Sequence, residues 1–524
     1  MHRLRTLLAT ALVSALLFTA VSGCKVTSED ISHWKRTVKG PGKLVAVLTS
    51  PHYDAPLRTQ AALALVAMDR SDVDGVTELS HAFERMRSAN DPQLAAIVTG
   101  MVPELERMMA GTENATQQPG QGPAESSVKA KDAAFMLIHY ADAATQQKLT
   151  QAVVSWYVVD FTGRSLAGNF SVEQVCRQLG APAASQLVNA LSSRMSKEAL
   201  VKIAELIGQL GDAPTKTRAG QRLVAIEQEM EGDGFITWMK GEIRKQLEAQ
   251  GQRNVTDARL TTIALANREG FINDGAVPAM KFLGDVDAVR DRLLAIASTP
   301  VPANAPDGES LNLRRQRALM ALEGHVAAIH VARLLPIALD ANNPPNVRDY
   351  AFDRIADTRS RDAIASMWPL VQATGLEGDE AAQTLARRLR WRAGELVLAI
   401  GGSGVVGEFL TKLPSAPNVS FEPSELEGYA TRISQMGDAP MDLLRRELAS
   451  PAWSRQVLAI HFLARRGAVS DVPAVERLAS STTPCVGQGW ARHDPPEETV
   501  GKVATAELAT MRARLSNPNP AANR

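Results

Sequence analysis

The chain has 524 residues, of which 45% are apolar and 22% charged, a composition typical of a soluble globular protein long enough for several domains or for one extended array. Its 57 lysine and arginine residues match its 57 aspartate and glutamate residues, so it lacks the basic surplus that nucleic-acid binding usually requires. Aromatic residues make up only 5% of the chain, which is low for a compact β-rich domain.

The first 23 residues have the pattern of a secretory signal peptide. Arg3 and Arg5 precede an uncharged, mostly apolar run from Leu7 to Val21, and small residues follow that run. A positively charged start, an apolar core of about 7 to 15 residues and a small-residue exit are the features that such a signal needs. The core is also shorter than the roughly 20 residues that span a membrane as a helix. We therefore expect residues 1–23 to be a signal peptide.

The end of this signal, Val21-Ser22-Gly23-Cys24, resembles the lipobox of bacterial lipoproteins. The resemblance implies cleavage before Cys24 and acylation of its thiol. Several acyl chains would then hold the mature chain durably at a bilayer, where a single chain would bind reversibly. Lys25 stands where an aspartate would signal retention, so the lipoprotein sorting pattern favours the outer membrane, facing the periplasm, over the inner membrane. An ordinary signal peptide with a chance cysteine, or a short anchor helix, is the alternative.

The mature chain is predicted to begin with a helix close to the lipid. Thr27-Ser28-Glu29-Asp30, before Ile31, has the pattern of a helix N-cap followed by acidic residues in the first turn. No apolar stretch after Val21 is expected to reach the length of a membrane-spanning helix. Attachment would therefore depend on the lipid alone.

From this helix onward, nearly every patterned segment predicts an amphipathic helix of about 10 to 15 residues. Clear examples are Leu57 to Met68, Ala199 to Leu210, Val347 to Ala356 and Arg455 to Ala464. Short turn signals separate the helices. Two stretches poor in apolar residues predict a flexible linker or inserted loop at 112–127 and a disordered tail at 516–524. The helices would thus form two arrays, 24–111 and 128–515.

Several helices share a recurring arginine that is followed by alanine. The arginines are Arg58, Arg315, Arg348 and Arg455, and their spacings fit multiples of about 33 to 37 residues. A Leu-Gly-Asp turn accompanies the pattern at 210–212 and at 283–285. This unit is similar to the HEAT repeat, a helical pair with an arginine and an alanine on its second helix and a Gly-Asp turn nearby. The resemblance implies an all-α fold, an α-solenoid of stacked HEAT-like helical pairs in which each pair buries its apolar face on its neighbours.

Two patterns are similar to cofactor or metal sites, but their surroundings favour ordinary turns. Gly402 to Gly407 fits the dinucleotide fingerprint Gly-x-Gly-x-x-Gly, yet Pro414 leaves barely two helical turns after it and no alternation of strands and helices surrounds it. The stretch from Cys485 to Asp494 offers a thiol, an imidazole and a carboxylate without the paired short spacing of zinc sites. The sequence also lacks the Gly-x-Ser-x-Gly and His-Glu-x-x-His patterns of hydrolases. We expect no catalytic residue, cofactor or metal ion.

Cys176 and Cys485 are predicted to be free thiols. In a linear stack of helical pairs they would lie on the order of eight repeats apart. A disulfide requires Cα atoms within about 7 Å of each other.

The densest basic cluster is Arg387, Arg388, Arg390 and Arg392. At about 100° per residue these side chains point around most of a helix instead of lining one side. The cluster therefore predicts a solvated helix and no nucleic-acid face.

The stretch from Trp156 to Phe170 departs most from the repeat pattern. It combines aromatic and β-branched residues with two glycines and one charge of each sign, a mixture enriched where surfaces bind partners. The favoured interpretation is that Trp156, Val159 and Phe161 fill a core between repeats while the glycines make turns. The alternative is a partner-binding site. Its residues would be Trp156, Asp160, Arg164 and Asn169, with Asp160 and Arg164 as polar anchors.

Together these features predict a lipid-anchored protein of the cell envelope that binds or scaffolds protein or peptide partners through its helical-repeat surface, and that is not an enzyme. A structural subunit of a larger envelope machine is the main alternative. An enzyme with its site at Gly402–Gly407 or at Cys485–Asp494 is a weaker one.

Overall fold

The computed structural model describes residues 26–68, 72–111, 123–302, 304–492 and 497–516. Over these residues the chain is helical, and its only β pairing is one isolated antiparallel bridge between Pro484 and Thr499. The predicted all-α class is confirmed. Contacts between Cα atoms divide the chain into two compact units, unit 1 (Met1–Ile226) and unit 2 (Glu227–Arg524).

Unit 1 contains helices of very different length. They are α1 (Ser28–Trp34), α2 (Gly40–Thr49), α3 (Ala55–Val66), α4 (Gly75–Ser88), α5 (Leu94–Ala110), α6 (Glu125–Leu137), α7 (Ala143–Val159), α8 (Phe161–Arg164), α9 (Val172–Leu179), α10 (Ala181–Ala190) and α11 (Lys197–Leu210). The long helix α12 (Ala213–Glu231) includes the boundary at Ile226.

Unit 2 continues the same pattern to the end of the described chain. Its helices are α13 (Asp233–Ala249), α14 (Asp257–Phe271), α15 (Val277–Met280), α16 (Asp287–Ser298), α17 (Gly308–Ala321), α18 (Val331–Leu339), α19 (Pro345–Asp357), α20 (Asp362–Val371), α21 (Glu380–Gly401), α22 (Val406–Lys412), α23 (Pro423–Ser434), α24 (Met441–Glu447), α25 (Trp453–Arg466), α26 (Val472–Glu476) and α27 (Val500–Ser516). Short 3-10 or π turns extend several of them.

Several predicted boundaries fall at or beyond the described residues. The signal peptide 1–23, the lipidation residue Cys24, the linker residues 112–122 and the tail residues 517–524 lie outside them. The remaining residues of the predicted linker include 125–127, which form the first turn of α6. Ser516, the first residue of the predicted tail, is the last residue of α27.

Side chains that accept backbone N–H groups start many of the helices. At α1, Thr27 N donates to Asp30 Oδ2 at 2.9 Å and Asp30 N donates to Thr27 Oγ1 at 3.3 Å, which is a capping box and confirms the predicted N-cap. Other helices are capped in the same way by Asp54, Asp74, Asp142, Ser171 and Ser196.

Two of the four recurring arginines, Arg58 and Arg315, connect consecutive helices. Arg58, on α3, is fully buried, and its Nε donates to the carbonyl oxygen of Leu48 in the last turn of α2 at 2.7 Å. Arg315, on α17, is buried, and its Nε donates to the carbonyl oxygen of Ala297 in the last turn of α16 at 2.9 Å. A cation at this place satisfies carbonyls that the preceding helix leaves unpaired and faces the negative end of its dipole. Arg348 is buried on α19, but its Nε and Nη1 have no hydrogen-bond partner within the described residues.

Helices pack in series within each unit. In unit 2, α17, α19, α21, α23, α25 and α27 contact one another in that order, and α16, α18, α20, α24 and α26 each pack beside the helix that follows. In unit 1, α3, α5 and α7 contact in series, and α2 and α6 pack beside α3 and α7. The alanines after the recurring arginines are fully buried: Ala61, Ala318, Ala351 and Ala459. Small buried side chains let neighbouring helices approach closely.

The basic cluster on α21 differs from the solvated helix that its sequence predicts. Arg390 is fully buried and donates to both carboxylate oxygens of Glu425, each at 2.8 Å. Arg388 and Arg392 form ion pairs with carboxylates on α19. The prediction was wrong for Arg390 because a helical projection gives the direction of a side chain but does not show which other helices bury it. Here α19, α20 and α23 all pack on α21.

One stretch of the described residues is long and apolar enough to cross a membrane when judged by length and composition alone. It covers 33 residues, Glu380–Lys412, through α21, the turn Gly402–Val405 and α22. This differs from the expectation that no such stretch follows Val21, because the glycine-rich turn continues the helical path and joins two apolar segments. The core helix of a soluble protein passes the same test, and 44% of this apolar window is buried. The prediction of a glycine-rich turn between two helices is confirmed.

Candidate partner-binding surface

The stretch from Trp156 to Phe170 covers the end of α7, the single turn α8 and part of the loop to α9. Trp156 and Phe161 are buried, with exposed fractions of 2% and 7%. Val159 and Leu166 are exposed, at 74% and 83%. The core interpretation is therefore right for Trp156 and Phe161 and wrong for Val159.

A buried lysine holds the loop after α8. Lys131, on α6, is fully buried, and its Nζ donates to the carbonyl oxygens of Ala167 and Phe170, each at 2.9 Å. The same Nζ lies 2.5 Å from Asp132 Oδ1 and 2.9 Å from the hydroxyl of Tyr157. The Tyr157 hydroxyl in turn donates to the Phe170 carbonyl at 2.5 Å. We call Lys131, Asp132 and Tyr157 the loop clasp.

Asp132 fixes the middle of the loop. Its Oδ2 accepts the backbone N–H of Asn169 at 2.8 Å. Gly168 has a φ of +84°, and a Cβ at this position would lie 2.4 Å from the same oxygen. Glycine therefore fits where another residue would be strained and would clash. The side chain of Asn169 donates to Asp74 Oδ2 at 3.4 Å, so this predicted binding residue helps to hold the loop.

Burial sets the ionisation of the loop clasp. Loss of hydration lowers the pKa of Lys131, while the hydrogen bond and the charge of Asp132 act in the opposite direction. Loss of hydration also raises the pKa of Tyr157 well above its usual range, and the charge of Asp132 adds to this shift. The Tyr157 hydroxyl therefore stays protonated and keeps its hydrogen bond to the loop.

Arg164, a predicted polar anchor, is held against Trp156. Its Nη1 donates to the Trp156 carbonyl at 2.9 Å, and its guanidinium carbon lies 4.8 Å from the centre of the Trp156 ring. The indole Nε1 donates to Ser127 Oγ at 2.7 Å, which fixes the ring. Burial lowers the pKa of Arg164, and the charge of Asp160 acts against this shift. Asp160, the other predicted anchor, caps α8 by accepting the N–H of Gly163 at 3.0 Å.

Two clefts of about 360 Å³ each border Val159. The first, which we call the α5–α7 cleft, is lined by Glu106, Met109, Lys148, Ala152, Trp156 and Arg164 together with Val159. The second lies beside α8, and its lining includes Asp160, Phe161, Ser192 and Met195. An exposed apolar side chain thus lies between two concave regions of unit 1.

Three of the four predicted residues, Trp156, Asp160 and Arg164, line these clefts, whereas Asn169 belongs to the loop that the clasp holds. Sequence reasoning missed the loop clasp and the two charged residues on the helical walls, Glu106 and Lys148. The adjacent charges Lys131-Asp132, before the apolar run that ends at Ile138, were the available signal for the clasp.

A larger cleft of about 530 Å³ lies on unit 2 around Trp391. Most of the charged side chains that line it form ion pairs, for example Arg388 with Asp349 and Glu425 with the buried Arg390. Burial raises the pKa of Glu425, and the Arg390 guanidinium acts in the opposite direction. The paired charges serve contacts between helices.

The sequence also singled out the stretch from Cys485 to Asp494 and the two cysteines, Cys176 and Cys485. Across the described ranges, no group of three or more His, Cys, Asp and Glu side chains is placed to hold a metal ion, and His493 and Asp494 lie outside those ranges. Cys176 and Cys485 are both free, as predicted. Burial raises the pKa of each thiol to about 12, so both are protonated at neutral pH.

No known family model matches the chain, and a search of curated proteins gives no significant match. The similarity of the helical unit to HEAT repeats and that of the signal to a lipobox therefore stay predictions.

Proposed function

We propose that this chain is a lipid-anchored protein of the cell envelope that binds protein partners through the surface around Val159 and Leu166. The observation that carries this proposal is that two apolar side chains are highly exposed beside a buried ion pair: Val159 at the end of α7, and Leu166 in the loop that the pair holds. A buried ion pair adds little net stability over apolar side chains of similar size, because desolvation of its charges offsets their attraction. In this proposal the pair serves to fix the loop, and a preorganised loop binds a partner with a smaller loss of entropy.

The proposed architecture is an α-solenoid of HEAT-like helical pairs. Serial contacts between alternate helices within each unit support it, as do Arg58 and Arg315, which cap the first helix of their own pair. A stack of such pairs offers a long surface that suits peptide and protein partners better than small substrates.

Leu166→Glu tests the partner-binding surface. We expect this variant to recover about tenfold to a hundredfold less of each specific partner than the wild type, because burial of a leucine at an interface is worth about 1.5–3 kcal/mol. The measurement is affinity capture of the lipidated chain from detergent-solubilised envelopes, followed by quantitative mass spectrometry. Val38→Glu and Ile329→Glu are matched controls, since these side chains are 78% and 80% exposed elsewhere on the chain.

Recovery that falls equally in all three glutamate variants, or in none of them, would contradict the proposed surface. The same experiment addresses the alternative of a structural subunit of a larger envelope machine. Such a subunit would be recovered with fixed stoichiometry in every variant and at high salt, because obligate interfaces are large and apolar.

Cys24→Ser tests the anchor. We expect the variant to leave the membrane pellet for the soluble fraction, because acyl chains provide the only membrane attachment in this proposal. Membrane fractionation with detection of the acylated N-terminal peptide measures the effect. Cys485→Ser, which changes a free thiol far along the chain, should stay in the pellet. Equal retention of Cys24→Ser and the wild type would remove the lipid anchor from the account.

A further inference from the structure

Arg164 is a half-buried cation that lacks a carboxylate partner in the described part of the chain. Within the described residues, the only hydrogen bond of its side chain is from Nη1 to the Trp156 carbonyl, and its guanidinium lies over the Trp156 ring. Asp160, the acid beside it in sequence, uses its carboxylate to cap α8. By contrast, the buried guanidinium of Arg58 forms a salt bridge with Asp91. Arg164 is therefore held in place and partly desolvated. Its guanidinium can still donate two hydrogen bonds to one carboxylate, in a bidentate contact.

The cleft beside Arg164 is also lined by a second cation and by apolar side chains. Lys148, on α7, lines the same α5–α7 cleft, and it forms no ion pair with any carboxylate that the structure describes. The apolar lining comes from Met109, Ala152 and Val159. Among the described residues that line this cleft Glu106 is the one acid, so the two cations outnumber it. The cleft thus combines two cations with an apolar lining.

We propose that the α5–α7 cleft binds a segment of a partner protein that presents an aspartate or glutamate carboxylate to Arg164 and Lys148 beside an apolar side chain seated on Met109, Ala152 and Val159. This inference rests on the proposed function and names the chemistry of the partner. The carboxylate supplies the ion-pair partner that Arg164 lacks among the described residues, and the apolar neighbour covers Met109, Ala152 and Val159. Anionic lipid headgroups are less favoured, because a phosphodiester headgroup brings no apolar group beside its charge and would leave Met109, Ala152 and Val159 uncovered.

The experiment uses a phage library of random twelve-residue peptides, panned on the full lipidated chain held in detergent by a C-terminal tag. We expect the wild type to enrich peptides with an acidic residue next to apolar ones, and Arg164→Gln not to enrich them. A synthetic peptide with the enriched pattern should bind Arg164→Gln about tenfold or more weakly than the wild type, with a smaller loss for Arg164→Lys. Arg107→Gln is the matched control, because Arg107 is an α5 arginine that pairs with Glu104 outside the cleft lining.

A change in the peptide separates recognition from damage to the fold. In a second peptide, glutamine replaces the acidic residue. This glutamine peptide should bind the wild type as weakly as the acidic peptide binds Arg164→Gln. The losses in affinity should not be additive when the glutamine peptide is measured with Arg164→Gln. The inference would be overturned if the wild type enriched no such peptides, or if Arg164→Gln bound the acidic peptide as tightly as the wild type does. It would also be overturned if the wild type bound the glutamine peptide as tightly as the acidic one, or if anionic vesicles competed with the peptide for the wild type. If Leu166→Glu still abolishes partner capture, the proposed function stands without it.

Discussion

Lys131→Met should destabilise unit 1 by about 3–5 kcal/mol, because it leaves Asp132 buried without its cation. Asp132 is 3% exposed, and the lost Nζ also releases the carbonyls of Ala167 and Phe170 and the hydroxyl of Tyr157. Denaturant unfolding followed by circular dichroism measures the change in free energy. Hydrogen exchange at the Asn169 amide, which donates to Asp132, should report local opening of the loop.

The double variant Lys131→Met/Asp132→Asn is the matched test of this explanation. Its amide oxygen can still accept the Asn169 N–H, and no unpaired charge remains buried. We expect it to be more stable than Lys131→Met alone, although it carries one more substitution. A single variant within about 1 kcal/mol of the wild type, or a double variant less stable than the single one, would contradict the role given to the loop clasp.

Arg390→Met should destabilise unit 2 by a similar amount, about 3–5 kcal/mol. The Arg390 guanidinium donates to both oxygens of Glu425 and, at 2.7 Å, to the carbonyl of Ser420, and it lies 4.0 Å from the ring centre of Phe421. Without it, the carboxylate of Glu425 keeps a single partner among the described residues, the Tyr429 hydroxyl at 3.1 Å. Urea or guanidinium unfolding at neutral pH measures the loss.

The pH dependence of Arg390→Met provides an internal check. Burial already raises the pKa of Glu425 in the folded chain, and removal of Arg390 takes away the largest opposing influence. When the pKa of a carboxyl group is higher in the folded state than in the unfolded state, the folded state binds the proton more tightly. The free energy of unfolding then rises as the pH falls through the folded-state pKa toward the unfolded-state pKa. The deficit of Arg390→Met relative to the wild type should therefore be smaller at pH 5 than at pH 7. A deficit that grows on acidification would contradict this explanation.

Arg388→Met is the control on the same helix. Arg388 is exposed, and its ion pair with Asp349 lies at the surface. Exposed ion pairs contribute about 0–1 kcal/mol, so this variant should stay close to the wild type. The same loss in both variants would show that the helix, and not the buried pair, determines the effect.

Local features of the fold could be predicted from the sequence because they depend on neighbouring residues. The capping box of Thr27 and Asp30 needs only their spacing, and the helical class needs only the apolar period. The recurring arginines Arg58 and Arg315 could be found by their spacing, but their role could not. Their carbonyl partners lie 10 and 18 residues away, and only the turn between the helices brings them together.

Burial of charged residues could not be predicted, since it depends on helices that are distant in sequence. Glu425 lies 35 residues after Arg390 and covers it, which turns a basic helix into part of a core. For the candidate site, the unusual composition around Trp156 drew attention to a region where Trp156, Asp160 and Arg164 line two clefts, and their role as binding residues stays a prediction. Lys131 and Lys148 were missed because single charges on predicted helices are ordinarily solvated.

The capture ratio between Leu166→Glu and the equally exposed control Ile329→Glu tests the central claim most directly. The claim is that the loop held by Lys131 presents a partner-binding surface on a membrane-tethered chain. We predict that Ile329→Glu recovers the wild-type amount of partner and that Leu166→Glu recovers about a tenth of it or less. Equal recovery by the two variants, with both chains folded and membrane-bound, would contradict the account.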